Sequence, residues 1–146
     1  MNNTLRTKIK KYSAFLLIAI IVASVAYLIV YKVSFLPNGY DIVEVQNDSI
    51  TLKSFNVVGI EKNIKTVSFS EKDTWKIDAI DYEVNRQKEF LWILFVAVTM
   101  SIILFVYKLC NGMKLWKAIF ESNIIISALP LYVIITSVNR IRDLIS

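Results

Sequence analysis

Charged side chains vanish from three stretches of this chain, 12–31, 90–107 and 122–139, and return in clusters between them. Each stretch is 18 to 20 residues long and mostly apolar. A helix rises ~1.5 Å per residue, so about 20 residues cover the roughly 30 Å of hydrocarbon in a bilayer. The pattern predicts an α-helical membrane protein with three transmembrane helices, over 12–36, 89–108 and 122–139.

Between the first two spans the period changes. Pro37, Asn38 and Gly39 signal a turn, and short β-rich pieces follow. Tyr40 to Val45 reads as a strand, and Gln46, Asn47 and Asp48 as a turn. Ser49 to Phe55 comes next, with Ile50 and Leu52 on one face and Thr51 and Lys53 on the other. Asn56 to Ile60 continues it past a bend, and Glu61 to Asn63 forms another turn. Ile64 to Phe69 alternates again, and Thr74 to Tyr82 is the last strand candidate. The expectation is a small antiparallel meander of four or five strands within 37–88. So small a domain buries little core and must lean on the membrane surface, another subunit, or both.

Charge adds orientation. The chain carries a net charge of +5, but the bases are segregated. Arg6, Lys8, Lys10 and Lys11 fill the N-terminal segment 1–11, and Lys108, Lys114 and Lys117 flank or occupy the loop 109–121. The insert 37–89 is net acidic, with seven bases and ten acids. Bases beside membrane spans record orientation and contact with lipid head groups rather than nucleic-acid binding. The N-terminus and the 109–121 loop are therefore expected in the cytoplasm, with the insert and the tail 140–146 outside. Arg140 and Arg142 oppose this mildly, offset in part by Asp143. Ser24, Val25 and Ala26 would suit a signal-peptide cleavage site, but the apolar run continues to Tyr31, so the first span is expected to stay as an anchor. Tyr12, Tyr107 and Trp116 at the inner face, and Tyr27, Tyr31 and Trp92 near the outer one, suit the head-group level.

The chain offers little for catalysis. It has no histidine, one cysteine (Cys110) and three glycines, so His-based triads, internal disulfides and Gly-rich phosphate loops lack material. No enzyme activity, cofactor or metal site is expected. Asp78, Asp81 and Glu83 form an acidic cluster, but on a strand Asp78 and Asp81 would point to opposite faces, so it reads as a solvated acidic edge.

Two sets of residues remain as candidates for contact. Trp75, Ile77 and Tyr82 are more apolar than a thin sheet needs, which suits either its small core or a partner surface. Small residues recur at helical spacing in the spans: Ala19 and Ala23 in the first, Ala97 and Ser101 in the second. In the third, Asn123, Ser127 and Pro130 share a face with Ile134 and Ser137. That face is expected to meet the other helices or a partner, with Ile125 and Leu129 toward lipid and a kink at Pro130. Lys117 and Glu121, four residues apart, should pair.

The expected function is contact: a small bacterial inner-membrane protein of the immunity, exclusion or accessory kind. Its partners would be the bilayer and another membrane or extracytoplasmic protein, with self-association left open and no nucleic acid. The competing class is an oligomeric pore or transport-complex subunit, supported only by the polar face of the third span.

Overall fold

The computed structural model describes residues 3–146; the first two residues of the basic segment 1–11 lie outside the described residues. Helix α1 runs Asn3–Tyr27 and passes into a π-helical turn, Leu28–Lys32. Strands β1 (Tyr40–Val45), β2 (Ser49–Phe55) and β3 (Glu61–Ser68) follow, and helix α2 covers Trp75–Cys110. A short helix α3 (Leu115–Glu121), a 3-10 turn (Ile126–Ala128) and helix α4 (Pro130–Leu144) complete the chain. Two helices are long and apolar enough to cross a membrane, or three if the bent pair of α3 with 126–144 forms one span.

The sheet is antiparallel in the order β1-β2-β3, with a register irregularity between Ile42 and Glu44. β1 and β2 have the bounds expected from their alternation. The rest of the insert differs. Asn56 to Ile60 is the hairpin turn, closed by the Asn56 side chain, whose Oδ1 accepts from the Val58 and Ile60 amides at 2.9 Å each. Glu61 to Asn63 begins β3 instead of a turn.

The largest correction concerns Thr74 to Tyr82. It is not a strand: α2 starts at Trp75 and runs unbroken for 36 residues. Its buried residues Ile77, Ile80, Val84, Gln87, Leu91 and Leu94 step by three and four, a helical stripe that crosses the edge of the apolar run. No glycine or proline interrupts it, so the helix propagates outward from the apolar segment. At ~1.5 Å per residue it is about 54 Å long, so about 24 Å extends beyond a 30 Å hydrocarbon layer.

That extension supports the sheet. Ile50 and Leu52 pack with Ile77, Ile80 and Val84 of α2 and with Ile141 of α4. The Lys88 ammonium pairs with Asp41, and the Tyr40 amide donates to Gln87 Oε1 at 3.2 Å. The apolar face of the expected thin domain thus leans on two helices of its own chain. Residues 140–144 are helix, not a free tail, and Ile141 is fully buried. Gly39 lies so close to α2 that a Cβ there would overlap the Gln87 amide.

A second cluster joins Val30, Leu36, Phe55, Leu91 and Leu94 to Ile134 and Val138. The third apolar segment is broken rather than kinked at Pro130. The chain bends by 46° between Glu121 and Ile126, with Asn123 in the left-handed conformation at φ 57°. Pro130 occupies the first turn of α4, where its missing amide costs no hydrogen bond. Asn123 is exposed at this break and is not packed against the other helices of its own chain. Ser127 is buried, Pro130 half-buried, and Ile125 and Leu129 exposed. The Ser127 hydroxyl donates to the Ile124 carbonyl at 2.7 Å, one of the carbonyls freed by the break. Lys117 and Lys108 both pair with Glu121, at 3.7 and 3.1 Å.

Two predictions follow from this packing. Ser127→Leu should lower the thermal stability of the detergent-solubilised protein by about 1–3 kcal/mol through overpacking, with Ser127→Ala within about 1 kcal/mol. The hairpin tip, where Val57, Val58 and Ile60 are exposed, packs Gly59 on the Phe35 ring, which lies 6.2 Å from Phe95 in the apolar run of α2. An environment-sensitive dye on Val58→Cys, in a Cys110→Ser background, should therefore emit blue-shifted in nanodiscs and be quenched by spin-labelled lipid. Fully aqueous emission would place the tip away from the interface.

Candidate functional site

Trp75, Asp78, Ala79 and Tyr82 follow one another at helical spacing along the first turns of α2. With Glu83 they form one wall of a groove whose other wall is the end of α4: Arg140, Asp143 and Leu144. The groove encloses about 580 Å³. Trp75 and Tyr82 are 57% and 61% exposed, large apolar surfaces left uncovered at its ends.

Two of the three expected contact residues, Trp75 and Tyr82, thus lie in one groove. Ile77 does not: at 6% exposure it belongs to the core under the sheet, because on a helix it points away from Trp75 and toward Ile80. The proposed acidic edge is also rearranged. Asp81 accepts from Asn85 at 3.2 Å and is exposed, whereas Glu83 is 3% exposed and not a solvated edge residue.

Glu83 anchors the groove. Its Oε1 accepts from Arg140 Nη1 at 3.0 Å and lies 3.6 Å from Arg86 Nη1. Its Oε2 is buried without a hydrogen-bond partner, as are Gln87 Nε2 and Ser137 Oγ. Gln87 is one turn beyond Glu83 on α2, and Ser137 one turn before Arg140 on α4. A polar seam therefore runs along the α2–α4 contact, with the ion pair at its solvent end. Sequence reading missed Glu83, Gln87, Arg140 and Ser137 as a group. The available signal was a carboxylate and an amide, four residues apart, within the stripe Ile80, Val84 and Leu91.

The small-residue faces of α1 and α2 meet along a second feature. Ala19, Ala23 and Ala97 line an apolar cleft of about 400 Å³ with Trp92 and Val96. The Trp92 indole donates to the Ala23 carbonyl at 2.9 Å and ties the helices together there. Ser101 is buried. Among the described residues, no group of three histidine, cysteine or acidic side chains is placed to hold a metal ion.

Comparison with known proteins finds no matching family model, no similar characterised sequence and no similar solved structure.

The ion pair makes a stability prediction. Arg140→Met leaves the buried Glu83 with only the longer contact to Arg86 and should cost about 1–3 kcal/mol. Glu83→Gln in the same chain should recover most of that loss, because an amide needs no counter-charge. Thermal unfolding of the four proteins in detergent checks the cycle; equal melting of the wild type and Arg140→Met would exclude a structural role for the pair.

Proposed function

We propose that this chain is a small bacterial inner-membrane protein that works by protein–protein contact, in the manner of an immunity, exclusion or accessory protein. The groove between the ends of α2 and α4 is the contact site. What carries the reading is the pair of uncovered aromatic residues, Trp75 and Tyr82, beside charged groups on a rigid helical frame. Aromatic side chains are enriched at protein interfaces, and large exposed ones framed by polar groups mark binding surfaces.

The positive-inside rule motivates the orientation: the N-terminal bases and Lys108 to Lys117 inside, the sheet and groove outside. Arg140 and Arg142 oppose it mildly, and Arg140 is paired with Glu83. The Ile-, Lys- and Asn-rich composition motivates the bacterial setting. The competing reading, a pore or transport subunit, drew on the polar face of the third segment. Ser127 and Ser137 on that face are buried within the chain, which favours packing over a lined path.

Site-specific photo-crosslinking tests the contact. A benzophenone side chain at Tyr82 should give a light-dependent adduct with a discrete protein in cells, and one at Thr66, on β3, should not. Trp75→Ala with Tyr82→Ala should abolish the cellular phenotype while membrane levels persist. Discrete conductance of the purified protein in planar bilayers would instead favour the pore. For orientation, Asn47→Cys in a Cys110→Ser background should be labelled by an impermeant reagent in intact cells; labelling only after permeabilisation would reverse the topology.

A further inference from the structure

The groove is acidic as well as aromatic. Its lining carries three carboxylates, Asp78, Glu83 and Asp143, and one base, Arg140. Arg140 is committed to Glu83. Among the described residues the carboxylates of Asp78 and Asp143 enter no ion pair, whereas Asp41 pairs with Lys88, Glu61 with Lys53 and Asp73 with Lys76.

Glu83 closes the floor: it is almost fully buried, its Oε2 is shut off from solvent, and its Oε1 is held by Arg140. Trp75 and Tyr82 are seven residues apart, about 10 Å along the helix axis. That spacing leaves room for one side chain to enter between the rings, above Ala79, the smallest residue lining the groove. Aromatic faces attract cations, most of all where carboxylates stand beside them.

We infer that the groove takes a cationic segment of a protein partner, with an arginine or lysine side chain inserted between Trp75 and Tyr82 toward the carboxylates of Asp78 and Asp143. The inference rests on the contact reading above and adds the chemistry of the occupant. Arginine suits the site better than lysine, since its planar group can lie on an aromatic ring while donating to two carboxylates at once. Apolar neighbours of that arginine would cover the exposed rings.

The test uses the full chain in nanodiscs of neutral lipid and a dye-labelled eight-residue peptide that alternates arginine and leucine. Fluorescence anisotropy should show saturable binding well above that to empty nanodiscs, weakening as salt rises. A glutamine–leucine peptide should lose the binding, and a glutamate–leucine peptide should show none. Asp78→Asn with Asp143→Asn should weaken the arginine peptide by about tenfold or more, and Tyr82→Ala should weaken it too. Asp81→Asn, outside the groove, should change nothing. Equal binding to empty nanodiscs would assign the peptide to lipid, and equal binding by the Asp78→Asn/Asp143→Asn protein would remove the groove; either result overturns the inference. If cross-linking from Tyr82 captures a partner whose contacting segment is acidic or uncharged, the contact reading survives and the cationic occupant does not. Loss of that cross-link removes both.

Discussion

The antiparallel contact between α2 and α4 is what the other parts of the molecule depend on. Leu91 and Leu94 meet Ile134 and Val138 in one cluster, and Ile77, Ile80 and Val84 meet Ile141 in the next. The second cluster is also the core of the sheet, through Ile50 and Leu52. A three-stranded sheet this small is marginal alone, and here its apolar face is closed by two helices anchored elsewhere. Separating α2 from α4 would therefore undo the sheet core and both walls of the groove together.

Polar groups within that contact limit how it can form. Glu83, Gln87 and Ser137 are buried among apolar neighbours, and each keeps one polar atom unpartnered. Such groups reduce stability relative to a fully apolar seam, but they penalise a slipped register more, since Glu83 would lose Arg140; Gln87 in addition accepts from the Tyr40 amide. Tyr40 begins β1 and Gly39 packs directly against Gln87, so the same residues fix where the sheet attaches. The groove inherits its geometry from this arrangement: Arg140 holds the end of α4 beside Trp75 and Tyr82.

Helix α1 is held differently. It touches α2 near Trp92, through the bond to the Ala23 carbonyl, while most of its other apolar side chains are exposed. An exposed apolar helix of this length is stable where the surroundings are apolar too, which agrees with its capacity to cross a membrane. At the opposite end of the bundle from the sheet, Lys108 of α2 pairs with Glu121 and holds α3 against the end of α2, while Lys117 braces Glu121 from within α3.

The three apolar runs and the bounds of β1 and β2 were legible in the sequence, because long uncharged stretches and strict alternation are local properties. Over the short window 75–82, Trp75 and Ile77 imitate a strand. The helical period emerges only when Ile77 and Ile80 are joined to Val84, Gln87 and Leu91 across the boundary of the apolar run. Pro130 marked a disturbance in the third segment, but the break falls upstream, where Asn123 takes the left-handed conformation. Trp75 and Tyr82 could be singled out from the sequence alone, yet Ile77 could not be separated from them without knowing the helix. The groove itself was beyond local reading. Its second wall comes from residues about sixty positions later, and only the folding of α4 back along α2 brings Arg140 to Glu83. Local pattern determines which segments are apolar and which alternate; which buried charges meet is decided by long-range packing, where a carboxylate leaves water only if a partner arrives from elsewhere in the chain.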